Sequence, residues 1–363
     1  MKVLVVSYTK RLPYNVLDTR LVKSLLTLGL DVVVWGHDRD KNIVSEIRDI
    51  GGRVAPVIDY PPYEEKFDLI FFVTSYLPSP PLVGDWLKVP VVYFGADAWG
   101  KSNRWETMKY FVSSLGELHK KGFPLEFWAV SEGVAQDIKD LVQSDVPVTV
   151  IKGRVPDEVF LVPEELCVSP TRPRRNMILW IGHKMKDRTY KLVWATILSQ
   201  FPDRFLTIVD DDPYIPSADR RVVPYLNLNY LSSLRLIYQS EVVVAPYTHG
   251  HYHIHQNPIK YWECLSLNTP FVVTNVEMLK GDNKCLCLMT ENEETATQFV
   301  VSSIKKILTK EVNPPFTNPQ TLHKWRRENW FTRLVALNIK GVLEKWNLEI
   351  PSQLSRFLDT TTE

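Results

Sequence analysis

The hydrophobic residues of this chain form short, unbroken runs that alternate with longer amphipathic stretches. The first runs are "VLVV" (3–6), "DVVVW" (31–35) and "DLIFFV" (68–73), and the stretch at 18–29 repeats leucines with a helical period. An unbroken apolar run indicates a strand buried on both faces, as in a parallel sheet that is covered by helices. The alternation of such runs with amphipathic helices therefore predicts a doubly wound α/β fold.

The alternation stops once, at 161–176, and then starts again. That segment, "LVPEELCVSPTRPRRN", contains three prolines with charges between them, which neither a sheet nor a helix continues through. Apolar runs resume at "MILWIG" (177–182). We therefore expect two domains, over 1–165 and 166–320. Residues 321–363 are expected to form a C-terminal helical segment, and its return to the first domain is left open.

The tail at 321–346 is predicted to be one long helix. Trp330, Leu334, Leu337 and Val342 fit a single apolar stripe, and Arg and Lys residues occupy the other side. Such a helix would pack on the body of the protein. A basic helix that carries tryptophan could also lie on a membrane surface, so peripheral membrane contact through this tail is an alternative.

Composition and charge narrow the classes of protein. The net charge is +1, with 43 basic and 42 acidic residues, which provides no overall field to attract nucleic acid. The four cysteines do not show the spacing of a zinc pair. No apolar run approaches the roughly 20 residues of a membrane helix, and the N-terminal run is too short for a signal peptide. We therefore expect a cytoplasmic protein, with attachment to a membrane surface as the alternative.

The segment best suited to bind a ligand is "THGHYHIHQNPIKYWE", residues 248–263. It follows a buried strand, and in a doubly wound sheet the loops after the strand carboxyl ends form the ligand crevice. Pro258 can open a helix, whose N-terminus attracts anions, and Lys260 adds a cation there. Glu263, about one turn later, could accept hydrogen bonds from a vicinal diol such as a ribose. Together these features suit a nucleotide diphosphate.

The run "NPIKYWECLSLNTPFVV" (257–273) resembles the nucleotide-sugar motif of the GT-B glycosyltransferases. Further segments resemble, in the same order, those of the family 4-like (group 1) enzymes: 18–35, 127–138, 148–160, 178–188 and 222–247. The resemblance covers most of residues 1–300. It implies an α/β protein of two Rossmann-like, doubly wound parallel-sheet domains that face each other across a cleft, with the acceptor on the first domain and the donor on the second.

The resemblance also implies an activity: metal-independent transfer of a sugar from a nucleotide-diphosphate donor, of UDP or GDP type, to a glycan, lipid or protein acceptor. Glu263 takes the place of the family's ribose-binding Glu, and Lys260 and Arg188 take the places of the residues that meet the diphosphate. His183 replaces the usual Arg in the turn that opens the second domain. The donor-binding candidates are Gly182, His183, Arg188, Asn257, Lys260 and Glu263. No cofactor is implied beyond the sugar nucleotide, which is a co-substrate.

The catalytic candidates are Asp97 and His255. Asp97 lies in the loop where such enzymes keep a catalytic or sugar-binding His or Asp, and a turn residue is the alternative. His255 stands where the retaining members carry an earlier Glu, which favours inversion with Asp97 as the general base. The loop after the first strand lacks the usual glycines, so Tyr14 and Arg20 become candidates for contacts with the acceptor or the sugar.

Four histidines, His249, His251, His253 and His255, alternate along a segment that we expect to be extended. On an extended segment, alternate residues share a face. Three interpretations stay open: a metal site, a loop that bonds sugar hydroxyls through His253 and His255, and a partly exposed loop that tolerates histidine. Because GT-B transfer does not need a metal, we expect no metal site here.

Other functions remain as alternatives. The fingerprints of dinucleotide-binding, P-loop and serine-hydrolase sites are missing from the sequence. A nucleotide-sugar epimerase of GT-B shape would act on the same donor without an acceptor. A non-catalytic protein that holds a nucleotide or a glycan would bind it without turnover.

Overall fold

The computed structural model groups the chain into two compact units by their contacts. The first unit comprises Met1–Lys152 and Phe331–Glu363, and the second comprises Gly153–Trp330. The sequence predicts the boundaries between the domains elsewhere, near residues 165 and 320. The structure describes residues 1–7, 16–36, 41–55, 62, 64–73, 80, 86, 88–95, 106–143, 146–172, 174–182, 185–210, 219–226 and 228–362.

In the first unit, the described strands form one parallel sheet of seven strands in the order β3-β2-β1-β4-β5-β6-β7. These strands are β1 (Lys2–Val6), β2 (Asp31–Trp35), β3 (Arg53–Ala55), β4 (Leu69–Val73), β5 (Val91–Gly95), β6 (Leu125–Ala129) and β7 (Val148–Val150). The helices are α1 (Val16–Thr27), α2 (Lys41–Asp49), α3 (Glu106–Lys120), α4 (Glu132–Val142), α13 (Phe331–Lys345) and α14 (Ser352–Thr362). Strands β4, β5 and β6 are buried at every position, as unbroken apolar runs predict.

In the second unit, the described strands form a parallel sheet of six strands in the order β10-β9-β8-β11-β12-β13. These strands are β8 (Met177–Ile181), β9 (Phe205–Val209), β10 (Val222–Tyr225), β11 (Val242–Pro246), β12 (Phe271–Thr274) and β13 (Leu286–Leu288). The helices are α5 (Glu164–Val168), α6 (Met185–Arg188), α7 (Lys191–Gln200), α8 (Tyr230–Gln239), α9 (His251–His255), α10 (Ile259–Ser266), α11 (Glu293–Leu308) and α12 (Pro319–Glu328). The predicted pair of parallel-sheet α/β domains is therefore confirmed.

The tail is two helices, α12 and α13, rather than the predicted single helix. They are separated at Asn329 and Trp330. The interruption has a tertiary cause: the Asn329 carbonyl accepts a hydrogen bond from the Val155 N–H at 3.0 Å, and the Trp330 indole donates to Asp157 at 2.5 Å. The predicted stripe is wrong at Leu337, which is 40% exposed. The buried face of α13 consists of Phe331, Thr332, Val335, Ala336, Ile339, Val342 and Leu343.

The proline-rich segment 161–176 also differs from the expectation, because it contains helix α5. Arg326 of α12 is fully buried and attaches this segment to the second unit. Its guanidinium donates to the Val162 carbonyl at 2.8 Å and to the Glu164 carboxylate at 2.7 Å. Across the described residues, no helix combines the length and the apolar character that crossing a bilayer requires.

Candidate functional site

The chain reverses its winding direction in the second sheet between β8 and β11. From β8 the strand order runs outward through β9 to β10, and from β11 it runs the other way through β12 to β13. The loops that follow β8 and β11 therefore diverge at their carboxyl ends, which is where doubly wound sheets bind ligands. The first of these loops leads through Gly182 to α6, and the second leads to α9 and α10. Both carry predicted donor-binding residues.

Asp210, directly after β9, holds the loop that follows β8. Its carboxylate accepts a hydrogen bond from the Met185 N–H at 2.7 Å, at the start of α6, and one from the Trp180 indole at 3.2 Å. Gly182 has no room for a side chain, since a Cβ there would lie 2.9 Å from the Trp180 ring. These contacts set the position of α6, whose last residue is Arg188. The sequence analysis missed Asp210, although an acidic residue directly after a buried strand was a signal for it.

Arg188 lies against the loop that follows β11. Its backbone carbonyl accepts a hydrogen bond from the Thr248 N–H at 2.9 Å, and the next residue, Thr189, forms an antiparallel bridge with Tyr247. The Arg188 guanidinium lies over the Tyr252 ring, 5.1 Å from the ring centroid. The structure therefore brings this predicted diphosphate ligand to the histidine-rich segment.

The histidine-rich segment is helical from His251 to His255, so the expectation of an extended segment is wrong. On a helix, residues two positions apart project about 200° away from each other. His253 and His255 therefore do not share a face. His255 is half-buried, and its Nδ1 lies 3.4 Å from a carboxylate oxygen of Glu277. Among the described residues, no three His, Cys, Asp or Glu side chains come together as a metal site would require.

His253 is buried inside the loop. Its Nδ1 lies 2.8 Å from the Thr248 carbonyl, which can only accept, so Nδ1 carries the proton and donates. The ring stacks on Tyr247 with 5.1 Å between centroids. Burial lowers the pKa of His253 from its ordinary 6.5, and the bond to Thr248 opposes this only in part. His253 is therefore a neutral side chain at pH 7 that shapes the loop.

Helix α10 begins after Pro258, which has no side chain able to cap the first-turn amides. The preceding residue, Asn257, is buried, and both of its oxygens accept hydrogen bonds from other residues. Its side-chain oxygen accepts from the Trp262 indole at 2.6 Å, and its backbone carbonyl accepts from Arg154 at 3.0 Å. In the described conformation Asn257 positions the start of α10, a place that suits an anion because the amide dipoles point there.

Lys260 and Glu263, one turn apart on α10, meet in an ion pair. The Lys260 ammonium lies 2.7 Å from Glu263 Oε2, and the Tyr230 hydroxyl donates to Oε1 at 3.0 Å. The Glu263 side chain is 0% exposed, whereas that of Lys260 is 22% exposed. The carboxylate is therefore covered in this conformation. Sequence analysis missed Tyr230, because nothing in the local pattern of α8 indicates a contact with a residue on another helix.

The remaining candidates are Asp97, Tyr14, His183 and Arg20. Asp97, Tyr14 and His183 lie outside the described residues. Arg20 is a buried residue of α1. The geometry on which the assignment rests is therefore that of Gly182, Arg188, Lys260 and Glu263 in the second unit.

No protein-family model matches the chain, and no curated protein sequence matches it. The solved structures that are similar over nearly the whole chain include the following three. A glycosyltransferase from Rickettsia africae is 16% identical with a TM-score of 0.64, covering 94% of this chain and 98% of its own. Anabaena Alr3699/HepE in complex with UDP is 13% identical with a TM-score of 0.65, covering 95% and 100%.

The third is a UDP-GlcNAc 2-epimerase from Neisseria meningitidis bound to UDP-GlcNAc. It is 14% identical with a TM-score of 0.56, and the match covers 95% of this chain and 100% of the epimerase. At such identities the likeness concerns the fold alone. The chain has the fold of the GT-B glycosyltransferases, with two parallel-sheet α/β domains.

Proposed function

We propose that the chain is a glycosyltransferase of the family 4-like type that takes a sugar from a nucleotide-diphosphate donor. The observation that carries the proposal is the meeting of a cation and a carboxylate, Lys260 and Glu263, at the start of α10. This position lies beside the switch point of the second sheet, where ligands bind in doubly wound folds. Anabaena Alr3699/HepE, which has the same fold, binds UDP.

The chemical problem in such a transfer is the charge of the leaving group. As the bond between the sugar and the diphosphate breaks, negative charge builds up on the phosphate oxygens. Lys260, Arg188 and the first-turn amides of α10 supply positive charge and dipoles for it without a metal ion. Electrostatic stabilisation of this kind acts on the transition state more than on the bound donor, because the charge is greatest there.

The acceptor must lose a proton during the transfer. In an inverting reaction, a carboxylate takes that proton, and Asp97 is the residue that we propose for this role. In a retaining reaction, Asp97 would only position the sugar. His255 is the histidine that we propose for contact with the sugar, since His253 is committed to Thr248 and Tyr247.

A nucleotide-sugar epimerase is the second candidate, because the Neisseria meningitidis epimerase shares the fold. An epimerase converts its substrate without an acceptor. Incubation with UDP-GlcNAc alone, followed by chromatography of the sugar nucleotide, therefore distinguishes the two enzymes. A non-catalytic binding protein would bind the nucleotide sugar but would not convert it, whether an acceptor is present or not.

The donor site is tested by the change Glu263→Gln. In the parent protein, UDP or GDP should raise the melting temperature by mass action. The variant loses a charged acceptor for the ribose hydroxyls, which weakens binding about 10- to 100-fold and removes most of the ligand-induced shift. Glu165→Gln, at an exposed carboxylate of the same unit, is the matched control. Equal ligand-induced shifts in parent and Glu263→Gln would rule out this donor site.

A further inference from the structure

Lys260 and Glu263 neutralise each other in the described conformation, although each is proposed to bind a different part of the donor. The ammonium lies 2.7 Å from Oε2 of the carboxylate. The carboxylate is fully buried, and so its oxygens present no surface to which ribose hydroxyls could donate hydrogen bonds. A diol can reach Glu263 only after one of its present partners moves away.

Lys260 is the partner better suited to move. Its side chain is partly exposed at 22%, and its four-carbon stem has several rotatable bonds. Another partner, Tyr230, starts helix α8 with a rigid ring, and its hydroxyl donates to the opposite oxygen, Oε1, at 3.0 Å. Departure of Lys260 would therefore remove the cation from Oε2 and leave Oε1 held in place.

The ammonium cannot leave without compensation. A buried carboxylate that loses its cation pays a large desolvation cost, and a buried carboxylate needs hydrogen-bond donors. A nucleotide diphosphate at the start of α10 supplies both replacements. Its phosphates attract the ammonium, and its ribose hydroxyls donate to the oxygen that the ammonium has left.

We propose that Lys260 couples the recognition of the diphosphate to the recognition of the ribose, by leaving Glu263 for the phosphates when the donor binds. This inference rests on the proposed nucleotide donor. Its consequence is that a nucleoside without phosphates meets a covered carboxylate and binds poorly. The site thus discriminates against nucleosides, because Lys260 stays paired with the ribose-binding carboxylate of Glu263 until a diphosphate binds.

The test compares UDP and uridine in the parent and in Lys260→Met, with dissociation constants from calorimetry for UDP and ligand-observed NMR for uridine. UDP should bind the variant about tenfold more weakly, because a charge-assisted contact to phosphate is lost. Uridine should bind the variant several-fold more tightly, because Oε2 of Glu263 is no longer paired with an ammonium. This opposite sign is the diagnostic result, since general damage to the site would weaken both ligands. The gain should disappear with 3′-deoxyuridine.

Two further variants complete the experiment. Lys120→Met removes an exposed ion pair of the same spacing, Lys120 to Glu117 at 2.8 Å in α3, and should change neither ligand's affinity. Lys260→Ala serves in place of Lys260→Met if the methionine variant does not fold. The coupling is contradicted if uridine binds the variant no more tightly than the parent. It is also contradicted if uridine binds neither protein detectably. Failure of the parent to bind both UDP and GDP contradicts the proposed donor instead.

Discussion

Tyr230 shows how much a single residue from another helix can matter to the candidate site. It reaches from α8 to Glu263 of α10, whose carboxylate is fully buried. A buried carboxylate that keeps its charge needs donors on its oxygens, and a phenol supplies one without adding a second cation. We therefore regard Tyr230 as a positioning residue for Glu263.

Replacement of Tyr230 by Phe should weaken the binding of UDP about tenfold, because Glu263, the proposed acceptor for the ribose hydroxyls, loses a fixed donor. Tyr238→Phe is a matched control on the same helix, where the hydroxyl donates to the Leu166 carbonyl at 3.4 Å instead. That control should change the dissociation constant less than about twofold. Calorimetric titration measures both, and equal losses in the two variants would contradict a specific role for Tyr230.

At the scale of elements, helix α10 is held at its C-terminal end as well as at its start, where Asn257 accepts hydrogen bonds from Trp262 and Arg154. The Arg326 guanidinium donates to the Ser266 carbonyl at 2.7 Å, and Arg172 donates to the Leu267 carbonyl at 2.6 Å. These buried cations match the negative end of the helix dipole. These contacts therefore keep α10, the proposed donor-binding helix, in place.

A cluster around Glu65 links strands β1 and β3 of the first sheet. Its carboxylate lies 2.6 Å from the ammonium of Lys2 in β1 and accepts a hydrogen bond from Arg53 in β3 at 2.7 Å. The Arg53 hydrogen bonds lower the pKa of Glu65 from 4.5 to about 2, with help from Lys2, although burial opposes them. A depressed pKa stabilises the folded state above the unfolded value, and this contribution is lost as the pH falls through the folded value.

We therefore expect Glu65→Gln to lower the stability of the first unit at pH 7. The difference from the parent should shrink as the pH falls from about 4.5 towards about 2, since the parent's carboxylate then becomes protonated. Urea unfolding midpoints across this range measure the effect. Glu64→Gln, at the exposed neighbouring carboxylate, should leave the midpoints unchanged. A difference that persists at pH 2 would contradict the ion-pair explanation.

At the scale of the molecule, the C-terminal segment completes the first unit although it follows the second in sequence. Helix α13 contributes to the hydrophobic core of the first unit, and its Thr332 hydroxyl lies 2.8 Å from that of Ser24 in α1. Burial of its apolar side chains contributes on the order of 10 kcal/mol. That amount is comparable with the whole stability of a typical domain.

A chain that ends at Trp330 should therefore lose the stable fold of 1–152 and keep that of 153–330. Limited proteolysis with mass spectrometry should detect rapid cleavage within the first unit and protection of the second. A chain that ends at Asp359 lacks only a few C-terminal residues and should match the parent. Equal protection of 1–152 in the two truncated chains would show that the segment is dispensable.

The sequence by itself determined the fold class and the start of helix α10, the proposed donor-binding helix. An unbroken apolar run indicates a strand that is buried on both faces, and this can be recognised from the run itself. The parallel strands could therefore be identified one by one. The start of α10 at Pro258 could be predicted for the same reason, since proline acts on its own backbone. Lys260 and Glu263 could be placed one turn apart on that helix, whereas their ion pair was not predicted.

Only the tertiary structure decided the features that depend on distant partners. Val155 and Asp157 interrupt the tail at Trp330, and a local helical pattern contains no information about them. The histidine segment is helical. This could not be predicted, because alternation of one residue type does not distinguish the period of a strand from that of a helix. Tyr230 of α8 contacts Glu263 of α10. This contact depends on how the two helices pack, which the local sequence does not specify.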